Sequence, residues 1–423
     1  MRQGTTLLNP FVSGGRGLLG TLLIGMLLSL ALPAEGRAGS FPVTSCSSQA
    51  RSDDTLAYRG QQSSRRMVIK RACNIFTRGR TGLITANQKR QGRVRRGEHA
   101  TLVLRAPPGT VLTSIRWSGE ASRGDCGFGV EMYGVGPHQP ARYLARLPAT
   151  RRCRLTNASS AGRPRPRTFS LGRSTQVVQR VTCRDRDGCS TSKLTALRTY
   201  LSQVRVVDVS RPAVRITGGG LASRRWVRGF QQLRFGAQDN VGIAHQSLLA
   251  GARPISSQPR PCDRARTVPC PNGAGVLGFD TSRLGDGAQV LRLDVRDSAG
   301  NPSSASFTSF IDNTAPGRAS LSLDGGQGWR RTNAFTARWA NAREPHARIA
   351  GVRYRICRVG GQPGCAAQSR PGINISALPG LRVAGQGEWA LVMWRYDEAG
   401  NEKSYTQMLW TGVRRKAAYP PGF

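Results

Sequence analysis

The sequence predicts an all-β protein in which a β-sandwich over residues 39–207 precedes two smaller sandwich units. Three observations lead to this fold class. Short stretches of the chain alternate apolar and polar residues with the period of a half-buried strand. Several sequence markers recur in the same order at an offset of about 100 residues. No segment shows a convincing helical stripe of ten residues.

The first 38 residues are predicted to be a secretory signal peptide. Arg2 and Arg16 precede the apolar run 18–32, which is shorter than the roughly 20 residues that span a bilayer. Small residues before Ser40 allow cleavage after Ala38. An uncleaved N-terminal anchor is the alternative. No other long apolar run follows, so we expect a secreted or cell-surface protein without integral membrane association after cleavage.

Residues 39–207 are predicted to form the larger sandwich, and they are the most basic part of the chain. This region holds 31 basic and 8 acidic residues, a net charge of +23 within a chain total of +40. A field of this sign attracts polyanions. The strand-like segments of the region are 67–70, 100–105, 111–117, 128–133, 142–145, 168–171, 176–182 and 196–207.

The remainder of the chain contains two copies of one unit, 208–315 and 316–412, followed by a basic, proline-containing tail over 413–423. Markers at offsets of 95 to 104 residues define the copies. The paired markers are Asp208–Pro212 with Asp312–Pro316, Trp226 with Trp329, Cys262 and Cys270 with Cys357 and Cys365, and Asp297–Asn301 with Asp397–Asn401.

The last marker, Asp-x-Ala-Gly-Asn, is predicted to be the turn of a β-hairpin that closes each unit. Residues 288–295 alternate as a half-buried strand, and 304–311 form a second strand candidate after the turn. In copy two Arg395 falls where Val295 sits, which leaves the buried register open. Other predicted strands are 213–216, 231–236, 319–323, 334–339 and 351–357. About seven short strands in about 100 residues favour a β-sandwich.

The repeated unit resembles the immunoglobulin-like repeats of bacterial secreted and surface proteins. The resemblance covers 208–411 and rests on the Asp-x-x-x-Pro linker, the tryptophan, the turns 238–243 and 284–287, and the hairpin. It implies spacer and adhesion units. A basic sandwich before such units is similar to uncharacterised secreted proteins of high-GC bacteria, which implies a lectin-like sandwich, with a jelly roll as one arrangement.

Ten cysteines in an exported chain predict disulfide bonds rather than a zinc site, because no Cys-x-x-Cys occurs and the four histidines are isolated. Pairing between sequence neighbours is favoured, although the sequence does not fix the connectivity. The favoured pairs are Cys46 with Cys73, Cys126 with Cys153, Cys183 with Cys189, Cys262 with Cys270, and Cys357 with Cys365.

Arginine-rich loops of the first region are candidate polyanion sites, because guanidinium groups bind phosphate, sulfate and carboxylate bidentately. The candidates are Arg93, Arg95, Arg96, Arg151, Arg152, Arg154, Arg163, Arg165 and Arg167. The competing interpretation is compositional, since 58 of the 63 basic residues are arginine. Aromatic residues are sparse nearby, so only non-specific, salt-sensitive binding of nucleic acid is expected.

A glycan site is the second candidate in this region. Trp117 and Tyr133 offer flat faces, with Glu120, Asp125 and Glu131 as polar partners. An aromatic residue in a strand is otherwise a core residue. A glycosidase requires two carboxylates across a cleft, and Glu120 with Glu131 is the best pair. No nucleophile, zinc-protease or phosphate-loop motif occurs, so no catalytic residue is assigned.

The recurrent aspartates and asparagines raise the question of calcium. Asp208, Asp297 and Asp397 belong to turns of the type that supplies oxygen ligands. Arg211 in the first linker argues against it, and such side chains commonly cap their own turns. We therefore predict neither a metal nor a cofactor.

The sequence thus predicts an exported, non-catalytic modular protein that binds a cell-wall or extracellular polyanion or glycan, with the immunoglobulin-like units as spacers. The alternative is a secreted glycan-active enzyme with a cleft around Glu120 and Glu131. Neither the ligand nor the oligomeric state follows from the sequence.

Overall fold

The structure is a computed structural model, and it describes residues 39–46, 56–73, 82–155, 165–317, 319–360, 365–403 and 410–413. The predicted signal peptide and residues 414–423 of the predicted tail lie outside these residues. Within them, no helix is both long and apolar enough to cross a membrane.

The described residues between 39 and 208 form thirteen strands. In chain order they are β1 (Gly39–Ser45), β2 (Tyr58–Gln62), β3 (Met67–Ala72), β4 (Gly82–Asn87), β5 (Arg93–Val94), β6 (His99–Arg105), β7 (Val111–Ser122), β8 (Phe128–Gly136), β9 (Gln139–Leu147), β10 (Arg167–Ser174), β11 (Gln176–Cys183), β12 (Cys189–Ser190) and β13 (Ala196–Asp208). Every strand predicted here overlaps one of these.

Two sheets form the first sandwich. One has the order β10-β7-β13-β4-β3, with β1 also paired to β13, and the other has the order β2-β6-β11-β8-β9. Side chains of both sheets share one core, because alternate residues along each strand point inward. Gln179 of β11 is buried in this core and donates to the carbonyls of Leu83 and Leu197 in the opposite sheet. This polar bridge fixes how the two sheets face each other.

Within 213–413, the described residues form sixteen strands and two short 3-10 helices, Gly220–Ala222 and Thr281–Arg283. The strands of copy one are β14 (Ala213–Gly218), β15 (Trp226–Val227), β16 (Phe230–Gln238), β17 (Ile243–Ala250), β18 (Arg253–Pro259), β19 (Gly273–Asp280), β20 (Gly287–Asp297) and β21 (Pro302–Ile311). Those of copy two are β22 (Leu321–Leu323), β23 (Gly328–Arg330), β24 (Phe335–Trp339), β25 (Ile349–Arg358), β26 (Gln368–Pro371), β27 (Ala377–Leu381), β28 (Gly387–Asp397) and β29 (Trp410–Val413).

The two copies have the same topology. Copy one pairs a sheet of order β14-β16-β19 with a sheet of order β15-β21-β20-β17-β18. Copy two repeats this as β22-β24-β27 and β23-β29-β28-β25-β26. In each copy the second strand joins the last one in parallel, and every other pairing is antiparallel. The all-β fold with immunoglobulin-like sandwiches is therefore confirmed, whereas the domain boundaries stay predictions.

The ten cysteines form five disulfide bonds, each between sequence neighbours. The pairs are Cys46–Cys73, Cys126–Cys153, Cys183–Cys189, Cys262–Cys270 and Cys357–Cys365. The predicted presence of disulfides is confirmed. Cys183–Cys189 and Cys126–Cys153 both lie at the end of the first sandwich where β5 and β12 pair.

The Asp-x-Ala-Gly-Asn turn lies at the start of its unit, beside the linker that leads into it. The strands on either side of the turn are antiparallel, so the turn returns to the end at which the unit begins. Gly300 has φ 94° and Gly400 has φ 83°, a left-handed conformation that glycine adopts without strain. The motif connects the last two strands of its unit, as predicted, but its turn contacts the linker that enters the unit and not the exit.

Arg395 settles the register of copy two. Its side chain is 3% exposed and points inward like that of Val295. The guanidinium donates to Asn341 Oδ1 at 2.8 Å and to the carbonyl of Gly317. A buried guanidinium is tolerated here because acceptors surround it.

Candidate functional site

The structure removes Trp117 from the predicted glycan site. Its side chain is 8% exposed and lies in the core of the first sandwich, edge-on to Phe169. The indole N–H donates to Thr199 Oγ1 at 2.8 Å, and that hydroxyl donates to Gln179 Oε1 at 2.7 Å. Trp117 thus belongs to the network that bridges the sheets, and it has no face open to a sugar ring.

Glu120 and Glu131 lie on opposite outer faces of the first sandwich. Their strand neighbours Trp117 and Met132 point into the shared core, which places both carboxylates outward from different sheets. Packed sheets are about 10 Å apart, so the carboxylates are farther apart than a glycosidase pair. This corrects the expectation that they flank one site.

Each of these carboxylates is neutralised by arginine. Arg198 contacts Glu120 at 2.7 Å, with both side chains at least four-fifths buried. Arg184 contacts Glu131 at 2.6 Å, and Arg146 lies 3.6 Å from it.

Asp125 and Tyr133 are also separated from each other. Asp125 accepts hydrogen bonds from the backbone N–H groups of Gly127 and Ser190, so it fixes a loop. Tyr133 packs against Tyr143 on the outer face of the second sheet, with ring centroids 5.4 Å apart. The pKa of Tyr133 is raised, mainly by burial. The five predicted glycan residues therefore do not form one site.

Several of the predicted polyanion arginines lie at the same end of the first sandwich. Arg93 donates to the carbonyls of Asp187 and Gly188, so its guanidinium is already engaged in holding a loop. The Cys126–Cys153 disulfide brings the exposed Arg151, Arg152 and Arg154 to this end. Arg95 and Arg96 are exposed beside β5, Arg165 and Arg167 are exposed at the start of β10, and Arg163 lies outside the described residues.

A groove lies on the outer face of the first sheet of the first sandwich. It has a volume of about 420 Å³, and we call it the lysine groove. The residues that define it are Lys70, Ile84, Ala86, Lys89, Ala196 and Arg198.

The strand register explains how these residues come together. Lys70 of β3 lies opposite Ile84 of β4, which lies opposite Arg198 of β13. Arg198 in turn lies opposite Glu120 of β7. Cross-strand neighbours are about 5 Å apart, so cation, apolar side chain, cation and carboxylate form one row across the sheet.

The floor of the groove is apolar and held in place from the side. Ile84, Ala86 and Ala196 form a small buried cluster separate from the main core, with Leu194 packed against it. Asn87 fixes the neighbouring loop, because its amide donates to the carbonyl of Lys193 and accepts from the backbone N–H of Thr195. The floor is therefore preformed.

The rim of the groove is cationic. Lys70 and Lys89 line it and are exposed. They are two of only five lysines in the chain, so the groove departs from the arginine bias of the rest. Tyr200 lies on the same strand as Arg198 and Ala196 of the groove. Burial first, and then a hydrogen bond with Glu120, raise the pKa of Tyr200 to about 12, which keeps this hydroxyl protonated.

A second group of polar side chains lies between the first and second sandwiches. Carboxylate oxygens of Asp208, Asp239 and Asp297, one from each residue, lie within 4.8 Å of one another, and we call this the junction-one cluster. Asp208 ends β13, Asp239 follows β16, and Asp297 ends β20. Asn301 links the parts by donating to Asp208 O at 3.3 Å and to Asp297 Oδ2 at 2.7 Å.

The pKa values of two carboxyl groups in this cluster, Asp239 and Asp297, are raised. Burial, opposed by the hydrogen bond from the Val241 N–H, raises the pKa of Asp239 to about 6, and the charges of Asp297 and Asp208 add to the rise. Burial likewise raises the pKa of Asp297, against its hydrogen bonds from Asn301. The three charges therefore repel each other at neutral pH.

Sequence reasoning missed the lysine groove and Asp239. The rarity of lysine was visible in the composition, and Lys70 and Lys89 could have been singled out among the five lysines. Nothing in the sequence places Asp239 beside Asp208 and Asp297, which are 31 and 58 residues away from it.

No protein-family model matches the chain, and no curated protein matches it in sequence. Solved structures similar to it include the fibronectin(III)-like modules of Clostridium thermocellum CbhA, at 11% identity, a TM-score of 0.29, and coverage of 50% of this chain and 99% of that one. A three-domain crystal structure from titin has 9% identity and a TM-score of 0.33, covering 77% and 97%. The chicken CNTN1 FN1–FN3 domains have 10% identity and a TM-score of 0.28, covering 74% and 100%. Similarities this weak carry no argument about the function of this chain.

Proposed function

We propose that this protein is an exported, non-catalytic binding protein whose first sandwich holds an anionic glycan in the lysine groove, with the two immunoglobulin-like units as spacers. The observation that carries the proposal is the groove itself. An apolar floor beside exposed ammonium groups suits a sugar ring that bears a carboxylate, sulfate or phosphate.

The row across the sheet supplies complementary partners. Lys70 and Lys89 face the groove without an ion pair among the described residues. Arg198 is held by Glu120, so its remaining donors are oriented rather than free to swing. The arginine loops at the adjoining end extend the positive field along a longer polymer.

Five disulfide bonds support the exported location, because such bonds persist in oxidising compartments. The same topology in both immunoglobulin-like units supports a spacer role, since repetition extends the chain without adding a new cleft. The rival enzyme hypothesis lacks its carboxylate pair, because Glu120 and Glu131 lie on opposite faces and each contacts an arginine.

A glycan array with the full mature chain tests the proposal. We expect anionic glycans to be retained at physiological salt, and the double variant Lys70→Gln with Lys89→Gln to weaken binding at least tenfold. The matched control is Arg215→Gln with Arg234→Gln, which removes the same charge from exposed strands of the second sandwich. Equal losses in both variants would reduce the binding to general electrostatics.

Salt dependence separates the glycan from nucleic acid. Binding of duplex DNA is expected to fall steeply with added salt, because it depends on the release of counterions. Binding in the groove should fall less, since the apolar floor contributes. A parallel decline for both ligands would contradict a specific glycan site.

A further inference from the structure

The junction-one cluster contains a buried carboxylate oxygen without a partner. Asp208 is fully buried, and its Oδ1 accepts hydrogen bonds from the N–H and hydroxyl of Ser210 and from Asn240 Nδ2. Its Oδ2 is buried and accepts none. Desolvating a carboxylate oxygen without a partner is costly, so this oxygen calls for a cation or a donor.

No cationic side chain meets this need. Among the ion pairs of the described residues, none includes Asp208, Asp239 or Asp297. The chain has 63 basic residues, yet within the described part of the chain none of them forms an ion pair with this group of three carboxylates. A small cation bound from solution would neutralise the cluster without protonating its carboxylates.

We propose that the junction-one cluster binds one divalent hard cation, with calcium as the best fit, and that the ion ties the first sandwich to the second. Calcium takes six to eight oxygen ligands at about 2.4 Å, so two ligands on opposite sides of the ion are about 4.8 Å apart. The three carboxylates lie within that distance. Magnesium is a poorer fit, because it usually keeps most of its waters and takes one or two carboxylates.

The ligands come from both sandwiches, which is why the ion would act on their junction. Asp208 is the last residue of the first sandwich, whereas Asp239 and Asp297 belong to loops of the second. The cluster is already framed by other cross-contacts. Asn240 donates to the carbonyl of Pro108 at 2.7 Å, and Asn301 Oδ1 accepts from the backbone N–H of Gly39 at 3.2 Å.

The second junction, between the two immunoglobulin-like units, serves as an internal control. Asp312 occupies the place of Asp208, but its Oδ1 accepts from the N–H of Thr314 and its Oδ2 from the N–H of Ala347, each at 3.0 Å. No third carboxylate joins Asp312 and Asp397 among the described residues, where the only such group of acidic side chains is the junction-one cluster. One ion per chain is therefore expected.

Calorimetric titration of the full mature chain with CaCl₂, after treatment with EDTA, tests the proposal. We expect one site per chain at physiological ionic strength, and a melting temperature at least about 3 °C higher in saturating calcium. Titration with MgCl₂ should give at least tenfold weaker binding. Absence of both heat and a melting shift with calcium would overturn the proposal.

Asp239→Asn identifies the site. The variant keeps the acceptor for the Val241 N–H, so the turn should still form. We expect at least tenfold weaker calcium binding, whereas the matched control Asp280→Asn, a partly exposed aspartate of the same sandwich outside the junction-one cluster, should bind like the wild type. Calcium bound equally well by Asp239→Asn would overturn the assignment. If that variant does not fold, a wild-type stoichiometry other than one would overturn it instead.

Discussion

The two junctions, between the first and second sandwiches and between the second and third, share one set of hydrogen bonds, which we call the junction frame. They differ in the polar groups that surround this frame. At each, the asparagine of Asp-x-Ala-Gly-Asn donates to the carbonyl of the linker aspartate, from Asn301 to Asp208 at 3.3 Å and from Asn401 to Asp312 at 2.7 Å. The same asparagine also donates to the aspartate of its own turn. Each turn therefore holds the linker that enters its own unit.

What completes the frame differs in charge. The second junction satisfies Asp312 with backbone N–H groups and buries the guanidinium of Arg395 against Asn341 and Gly317. The first gathers three carboxylates and leaves Asp208 Oδ2 without a partner. The repeated motif therefore specifies the connection between units. Residues outside the motif determine whether that junction can bind a cation.

Removing the frame should have the largest effect. We expect Asn301→Ala and Asn401→Ala each to lower the free energy of unfolding by about 3 kcal/mol, because each removes the side-chain amide that donates to one oxygen of a buried carboxylate and to a linker carbonyl. Chemical unfolding monitored by tryptophan fluorescence measures the loss.

The matched control is Asn272→Ala. Asn272 also exchanges two hydrogen bonds with a backbone segment, at Asp239, but it is exposed. Its loss should be well under half as large. Similar losses at Asn272 and Asn301 would contradict the expectation that the buried hydrogen bonds of the junction contribute more to stability than exposed ones.

Replacing Arg395, whose guanidinium is buried at the second junction, should have an intermediate effect on stability. Arg395→Val places the residue of copy one into copy two and removes the donors to Asn341 and Gly317. We expect a loss of about 2 kcal/mol, from an orphaned carbonyl and a cavity. Differential scanning calorimetry measures it, and an unchanged melting temperature would show that Arg395 does not complete the junction.

The smallest effect should be a gain. In EDTA, Asp239→Asn removes one charge from three that repel, so we expect the unfolding free energy to rise by about 1 kcal/mol, after discounting for the partial exposure of Asp239. In calcium the order should reverse, with the wild type more stable. Thermal melts of both proteins in both solutions measure this crossover. A variant less stable than the wild type in EDTA would contradict the repulsion.

The sequence predicted the fold better than the site, for physical reasons. Strands such as 288–295 alternate cleanly, and a repeated marker set fixes the unit, so both could be read locally. Strands β4 and β17 were among those not predicted. β4 is buried on both faces, and β17 carries the buried Gln246 within an irregular pattern, so neither alternates. Alternation cannot say which sheet a strand joins, so Glu120 and Glu131 looked like partners although they lie on opposite faces.

Hydrogen exchange of the full mature chain, with and without calcium, tests the central claim most directly. The amides that donate to the junction-one carboxylates, at Val241, Ala299 and Asn301, should exchange more slowly in CaCl₂. The corresponding amides of the second junction, at Ala347 and Asn401, should be unchanged. Protection that rises equally at both junctions, or at neither, would contradict the account.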